Sequence, residues 1–259
     1  MAILLLTSAA GSPGVTTLAV GLTLAWPRPV LLADCDPGAH QAVLAGYLAG
    51  QSAGGRGLLR VAEAHRDRRP LREAVLDQSL PVTGEDGERQ LFLPGFSRAS
   101  SAGLFGGVWD DLADTFARLG EVGYDVIVDA GRMGAHGLPG PLVERSAVTA
   151  LVLRTSLRAV MAARVHLPSL TEQERLSTAG RTGLVLVGEG APYGRREVAA
   201  ALGVGVHAVV PDDPASAAHL SDGVPRHRRF ESAPLVRGLR SAASVLAARM
   251  DATTQVVAG

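Results

Sequence analysis

Leu6-Thr7-Ser8-Ala9-Ala10-Gly11-Ser12-Pro13-Gly14-Val15-Thr16-Thr17 decides the fold of this chain. An apolar run, Ile3 to Leu6, leads into it, and a helix-like run, Leu18 to Trp26, leads out. Strand, glycine-bearing loop and helix in that order are the layout of a phosphate-binding loop. Small residues at Gly11, Ser12 and Gly14 let backbone N–H groups approach an anion at the positive end of the following helix. Thr16 stands where such a loop places its magnesium hydroxyl, with Thr17 beside it. Val15 stands where the phosphate lysine belongs. The chain offers no lysine at all, because every one of its 25 basic residues is arginine. A charge-assisted hydrogen bond contributes about 1.5–3 kcal/mol, so its loss predicts nucleotide affinity weaker by roughly one to two powers of ten. Pro13 removes one more backbone donor. Taken alone, the segment also reads as an ordinary tight strand-to-helix turn.

Outward from the loop, short apolar runs alternate with helix-length segments, the pattern of a parallel α/β sheet. The strand runs are Ile3–Leu6, Val30–Ala33, Leu91–Leu93, Val126–Val128, Ala150–Leu153, Leu184–Val187 and Val206–Val210. Their apolar residues fall on consecutive positions, which predicts strands covered on both faces. Helices are predicted over Thr16–Trp26, Val108–Leu119, Leu157–Leu167, Arg195–Leu202 and Val236–Met250, with Pro27 and Pro29 ending the first. Residues 51–90 read as an irregular excursion around two short helices. Residues 252–259 read as a flexible tail, and the whole of 1–259 as one domain.

Two strand ends carry acids. Val30-Leu31-Leu32-Ala33-Asp34-Cys35-Asp36 ends in a pair spaced to leave the same side of a strand, and Val126-Ile127-Val128-Asp129 ends in a third. Ligands of open α/β sheets collect at such carboxyl ends. Asp34, Asp36 and Asp129, with the first loop, therefore form a candidate magnesium–phosphate site. Arg132, three residues past Asp129, is a candidate to lie near that pocket, although a guanidinium fork is not a drop-in for an ammonium and a surface or ion-paired arginine is the better reading.

Order and spacing of these motifs resemble the ParA/MinD group of deviant-Walker ATPases, whose loop reads lysine-Gly-Gly-x-Gly-lysine-Thr-Thr. Leu91 to Gly95 and Val209-Val210-Pro211-Asp212 are similar to further segments of that group. The resemblance implies a three-layer P-loop fold with a mostly parallel sheet of about seven or eight strands. It implies Mg-ATP or Mg-ADP as cofactor, with Thr16 binding magnesium, Asp34 and Asp129 supporting it, and Asp36 orienting the hydrolytic water if the chain is an ATPase. It also implies a homodimer and a protein partner. Three features depart from the pattern: Ala10 replaces the signature lysine, Val15 the phosphate lysine, and Gly188-Glu189-Gly190 the adenine-contacting Asn. These departures imply a positioning or scaffold protein with a degenerate nucleotide site, for which no cofactor is an equally good expectation. The alternative is an active ATPase that uses arginine in the lysine's place.

Other features argue against other classes. Formal charge is zero, so no global field favours nucleic acid, and Arg226-His227-Arg228-Arg229 reads as a solvated loop and not a DNA contact. His65, Arg66, Arg68 and Arg69 read the same way. Cys35, flanked by acids, reads as a buried apolar side chain. Leu235, Leu239, Ala242, Leu246 and Met250 share one face of the last helix, a pattern for packing on the sheet and not for a membrane anchor. The absence of a long apolar run predicts a cytoplasmic protein.

Overall fold

The computed structural model describes residues 2–10, 13–82, 89–134, 137–175 and 180–258. Consecutive apolar positions do make strands buried on both faces. In β1 (Ile3–Ser8), Leu4 and Leu6 join one core while Ile3 and Leu5 join the other. The chain continues through α1 (Val15–Ala25), β2 (Val30–Asp34), α2 (Ala42–Ala45), α3 (Leu58–Arg66), α4 (Leu71–Asp77) and β3 (Leu80–Pro81). Then follow β4 (Gln90–Leu93), α5 (Ala99–Ala102), α6 (Trp109–Arg118), β5 (Asp125–Arg132), α7 (Gly140–Arg145) and β6 (Val148–Arg154). The last part holds α8 (Leu157–Arg175), β7 (Thr182–Val187), α9 (Arg195–Leu202), β8 (Val206–Val210), α10 (Pro214–Asp222) and α11 (Pro234–Ala258).

The eight strands lie in the order β3-β4-β2-β5-β1-β6-β7-β8. All neighbours are parallel except the β3–β4 edge pair. One face is covered by α1, α2, α10 and α11 through Leu18, Leu22, Leu44, Leu220 and Leu239. The other is covered by α3, α4 and α6 to α9 through Val61, Val75, Phe116, Leu142, Leu167 and Val198. The result is the expected three-layer, mostly parallel α/β architecture. Because β1 sits between β5 and β6, the carboxyl ends of β1, β2 and β5 converge at one edge, the position where such sheets gather ligands.

Three sequence readings are corrected. The helix expected to stop at Leu167 runs to Arg175 with Pro168 inside it. Pro168 is exposed, so its ring meets solvent and not the packed side of the helix. The last helix does not end at Met250 either: it continues to Ala258, so residues 252–258 are helical and not a tail. Between residues 51 and 90, the two helices are accompanied by β3, whose two residues carry no readable period. On α11 the face expected to pack does pack, with Leu246 and Met250 fully buried. No helix among the described residues is long and apolar enough to cross a membrane.

Candidate nucleotide and carboxylate site

Gly14 caps α1 in the left-handed region, φ 94°, where a side chain would be strained. No side chain among the described residues caps this helix and its first turn holds no acid, so its N-terminal amides keep the character of an anion site. Gly11 and Ser12, both named as loop donors, lie outside the described residues. Val15 is 7% exposed and belongs to the apolar core of the α1 face with Leu4, Leu6 and Leu18. Thr16 and Thr17 are half-buried. The Thr16 hydroxyl lies close enough to the Asp129 carboxyl to favour its charged form.

The three acids meet. Asp34 and Asp129 are Cα partners in the β2–β5 register, and the Cys35 amide donates to the Asp129 carbonyl at 2.8 Å. The Asp36 amide donates to Asp34 Oδ1 at 3.2 Å, and the Gly131 amide to Asp129 Oδ1 at 2.9 Å. Asp36 in turn accepts from the Gly38 amide at 2.8 Å and lies 2.9 Å from His40 Nδ1. Two glycines make the space. A Cβ on Gly131, whose φ is 60°, would lie 2.3 Å from Asp36 Cγ, and one on Gly95 would lie 2.6 Å from Asp34 Cγ.

Burial dominates the electrostatics. It pushes the Asp34 carboxyl up to about 8, helped by the neighbouring Asp129 charge. Burial also raises Asp129, to about 6, against the Thr16 hydroxyl and Gly131 amide that favour its charged form. The Cys35 thiol is raised by burial and by both acids, which fits the inert side chain expected of it. A cation placed here would relieve two buried like charges. The oxygen-only set of Thr16, Asp34 and Asp129 has the chemistry for magnesium, although no group of three or more acids, histidines or cysteines among the described residues is arranged to hold a metal.

Arg132 ends β5 beside Ser8 in register. It is exposed and forms no ion pair with any described residue. Beyond α1, a pocket of about 150 Å³ is lined by Pro13, Gly14, Thr17, Val187 and Pro211. Arg154 and Asp212 also line it and pair with one another through both terminal guanidinium nitrogens. Glu189, from the segment that departs from the motif, is engaged by Arg195 at 2.8 Å. Neither the Arg154–Asp212 pair nor the His40–Asp36 contact is readable from sequence, since each joins residues through the fold or a loop conformation. Gly95 carried a signal: a glycine two residues past an apolar strand run.

The fold recurs in solved proteins. A ParA family ATPase from Chlorobium tepidum TLS superposes with a TM-score of 0.70 at 17% identity, over 94% of this chain and 98% of that one. The fold is that of the ParA and MinD ATPases. MinD in the MinC:MinD cell division complex of Aquifex aeolicus gives 0.71 at 15% identity, over 96% of each chain. MinD from Pyrococcus horikoshii OT3, complexed with Mg-ADP, gives 0.69 at 16% identity, over 93% of this chain and 94% of that one. No protein-family model and no curated protein matches the sequence. At these identities the ParA/MinD likeness is one of fold.

Proposed function

We propose that this chain is a positioning or scaffold protein of ParA/MinD fold with a degenerate nucleotide site, which localises another assembly through protein contacts. The single observation that carries the reading is Val15, a side chain 7% exposed within the core at the position of the phosphate lysine. With Ala10 also apolar and no lysine in the chain, nothing at the loop supplies the charge that holds and polarises terminal phosphates. The MinD of Aquifex aeolicus is found in complex with MinC, and a protein partner is the corresponding expectation here. Self-association is expected to be independent of nucleotide, because the lysine that would reach across an ATP-sandwiched dimer is Ala10. Light scattering tests this: the mass should be unchanged by Mg-ATP, and an ATP-dependent dimer would overturn the reading.

One observation favours a second reading, an active ATPase. Thr16, Asp34 and Asp129 are assembled at the carboxyl ends of β2 and β5 with two buried acids raised toward neutrality. When bound, magnesium would neutralise phosphate charge in that site, held by Thr16 with Asp34 and Asp129 in support. Asp36, held by Gly38 and His40, would orient water. Arg132 would supply the missing positive charge from the loop mouth. On this reading phosphate release is abolished by Asp36→Ala; equal background rates in parent and variant would end it.

A further inference from the structure

A cleft of about 610 Å³ opens between the turn that joins α3 to α4 and the outer face of α6. It shares no residue with the loop or the carboxylates. α3 starts beside Pro94, just beyond the carboxyl end of β4, and its nine residues carry the chain roughly 13 Å away before the cleft begins.

Arg68 and Arg69 come from the turn and Arg118 from the last turn of α6. The turn is tied back by the Arg68 amide to the His65 carbonyl at 3.0 Å and the Arg69 amide to the Ala64 carbonyl at 2.9 Å. The acids of the wall already have partners. Asp111 lies 2.7 Å from His65 Nε2, and Asp114 accepts from Arg145. Arg68, Arg69 and Arg118 are exposed and form no ion pair with any described residue. Three guanidinium groups from segments about fifty residues apart thus converge on one concavity with their charge uncompensated. The volume lies in the range of roughly 300–1,000 Å³ typical of ligand sites, and guanidinium forks bind carboxylate or phosphate bidentately.

The wall chooses between those anions. No Phe, Tyr or Trp is among the described residues that line the cleft, so bases find no broad ring to stack on. The chain's formal charge of zero gives no long-range attraction for a duplex. Carboxylates recur about 7 Å apart along one side of an extended chain, so single charges on one segment can meet guanidinium groups that come from separate segments.

We infer that this cleft docks an acidic segment of a partner protein, with its carboxylates held by Arg68, Arg69 and Arg118. This gives the partner a chemistry and is independent of the state of the nucleotide site, so the two readings fail separately.

The test is fluorescence anisotropy of fluorescein-labelled octaglutamate titrated with the full chain at low salt. The expected result is saturable binding, weakened at least tenfold in Arg68→Gln/Arg69→Gln/Arg118→Gln and unaltered in Arg226→Gln/Arg228→Gln/Arg229→Gln. Arg118→Gln alone, confined to the surface of α6, should show a loss of about threefold with an unchanged melting curve. Equal binding by the parent and the first triple variant overturns the inference, as does equal loss in both triples. Displacement of the peptide by tripolyphosphate or duplex DNA at lower concentration than by unlabelled octaglutamate also overturns it, because the anion would then be a phosphate.

Discussion

Asp34 and Asp129 face one another across β2 and β5 as register partners, one 9% and the other 2% exposed. Both follow apolar runs, Val30–Ala33 and Val126–Val128, and burial raises both above the ordinary carboxylate range. Two unrelieved charges so placed oppose folding. The arrangement stores a need for a proton or a cation where the strands meet the loop.

The sign of the resulting pH dependence follows from linkage. Each carboxyl binds its proton more tightly in the folded state, with Asp34 near 8 and Asp129 near 6 against an unfolded value of 3.8. Between those values the folded state holds more protons, so stability falls as pH rises from about 4 to 8. Asp34→Asn should raise Tm at pH 8 by roughly 5 °C and much less at pH 5, measured by calorimetric melts at both pH values. An equal change at both would refute the shared burden of charge.

Gly131 makes the approach of Asp36 to β5 feasible. Gly131→Ala combines a positive φ with a Cβ 2.3 Å from the Asp36 carboxyl carbon. It should cost about 2–3 kcal/mol, read from urea unfolding. Asp36→Ala in the same background should recover part of that loss, since it removes the group in the way.

The strands are legible in the sequence because burial on both faces writes itself as consecutive apolar residues, as in Val126-Ile127-Val128. Acids ending such runs are legible for the same reason: Asp34 and Asp129 break an apolar pattern. The rest is written in contacts instead of periods. Leu80-Pro81 is too short to show alternation, and Pro168 signals a helix end that its exposure overrides. Arg154 meets Asp212 only after the chain has laid down β7 and β8. Arg118 joins Arg68 and Arg69 only once α6 packs beside the α3–α4 turn.

Asp125 anchors the opposite end of β5. Fully buried, it accepts from Trp26 Nε1 at 2.8 Å, from the Ala2 amide at 3.3 Å and from Arg28, which also reaches Asp251 of α11 at 2.8 Å. Asp125→Ala leaves three donors unanswered and should cost about 3–5 kcal/mol. Denaturant unfolding would check this. A loss below 1 kcal/mol would mean that water takes the carboxylate's place.

Val15→Lys puts an ammonium where an apolar side chain packs at 7% exposure. Without ligand it should lower stability by about 1–3 kcal/mol. Together with Ala10→Lys it should improve Mg-ATP affinity at least tenfold over the parent, by equilibrium dialysis. No gain in affinity would show that the loop lacks more than its lysines.

The central claim is that the scaffold persists while nucleotide handling has gone. Titration calorimetry of the purified chain with Mg-ATP and Mg-ADP, with Thr16→Ala as control and folding checked by circular dichroism, tests it most directly. The degenerate-site reading predicts no micromolar binding by either protein. Micromolar binding by the parent that disappears in Thr16→Ala would contradict it and identify the chain as a working nucleotide-binding protein.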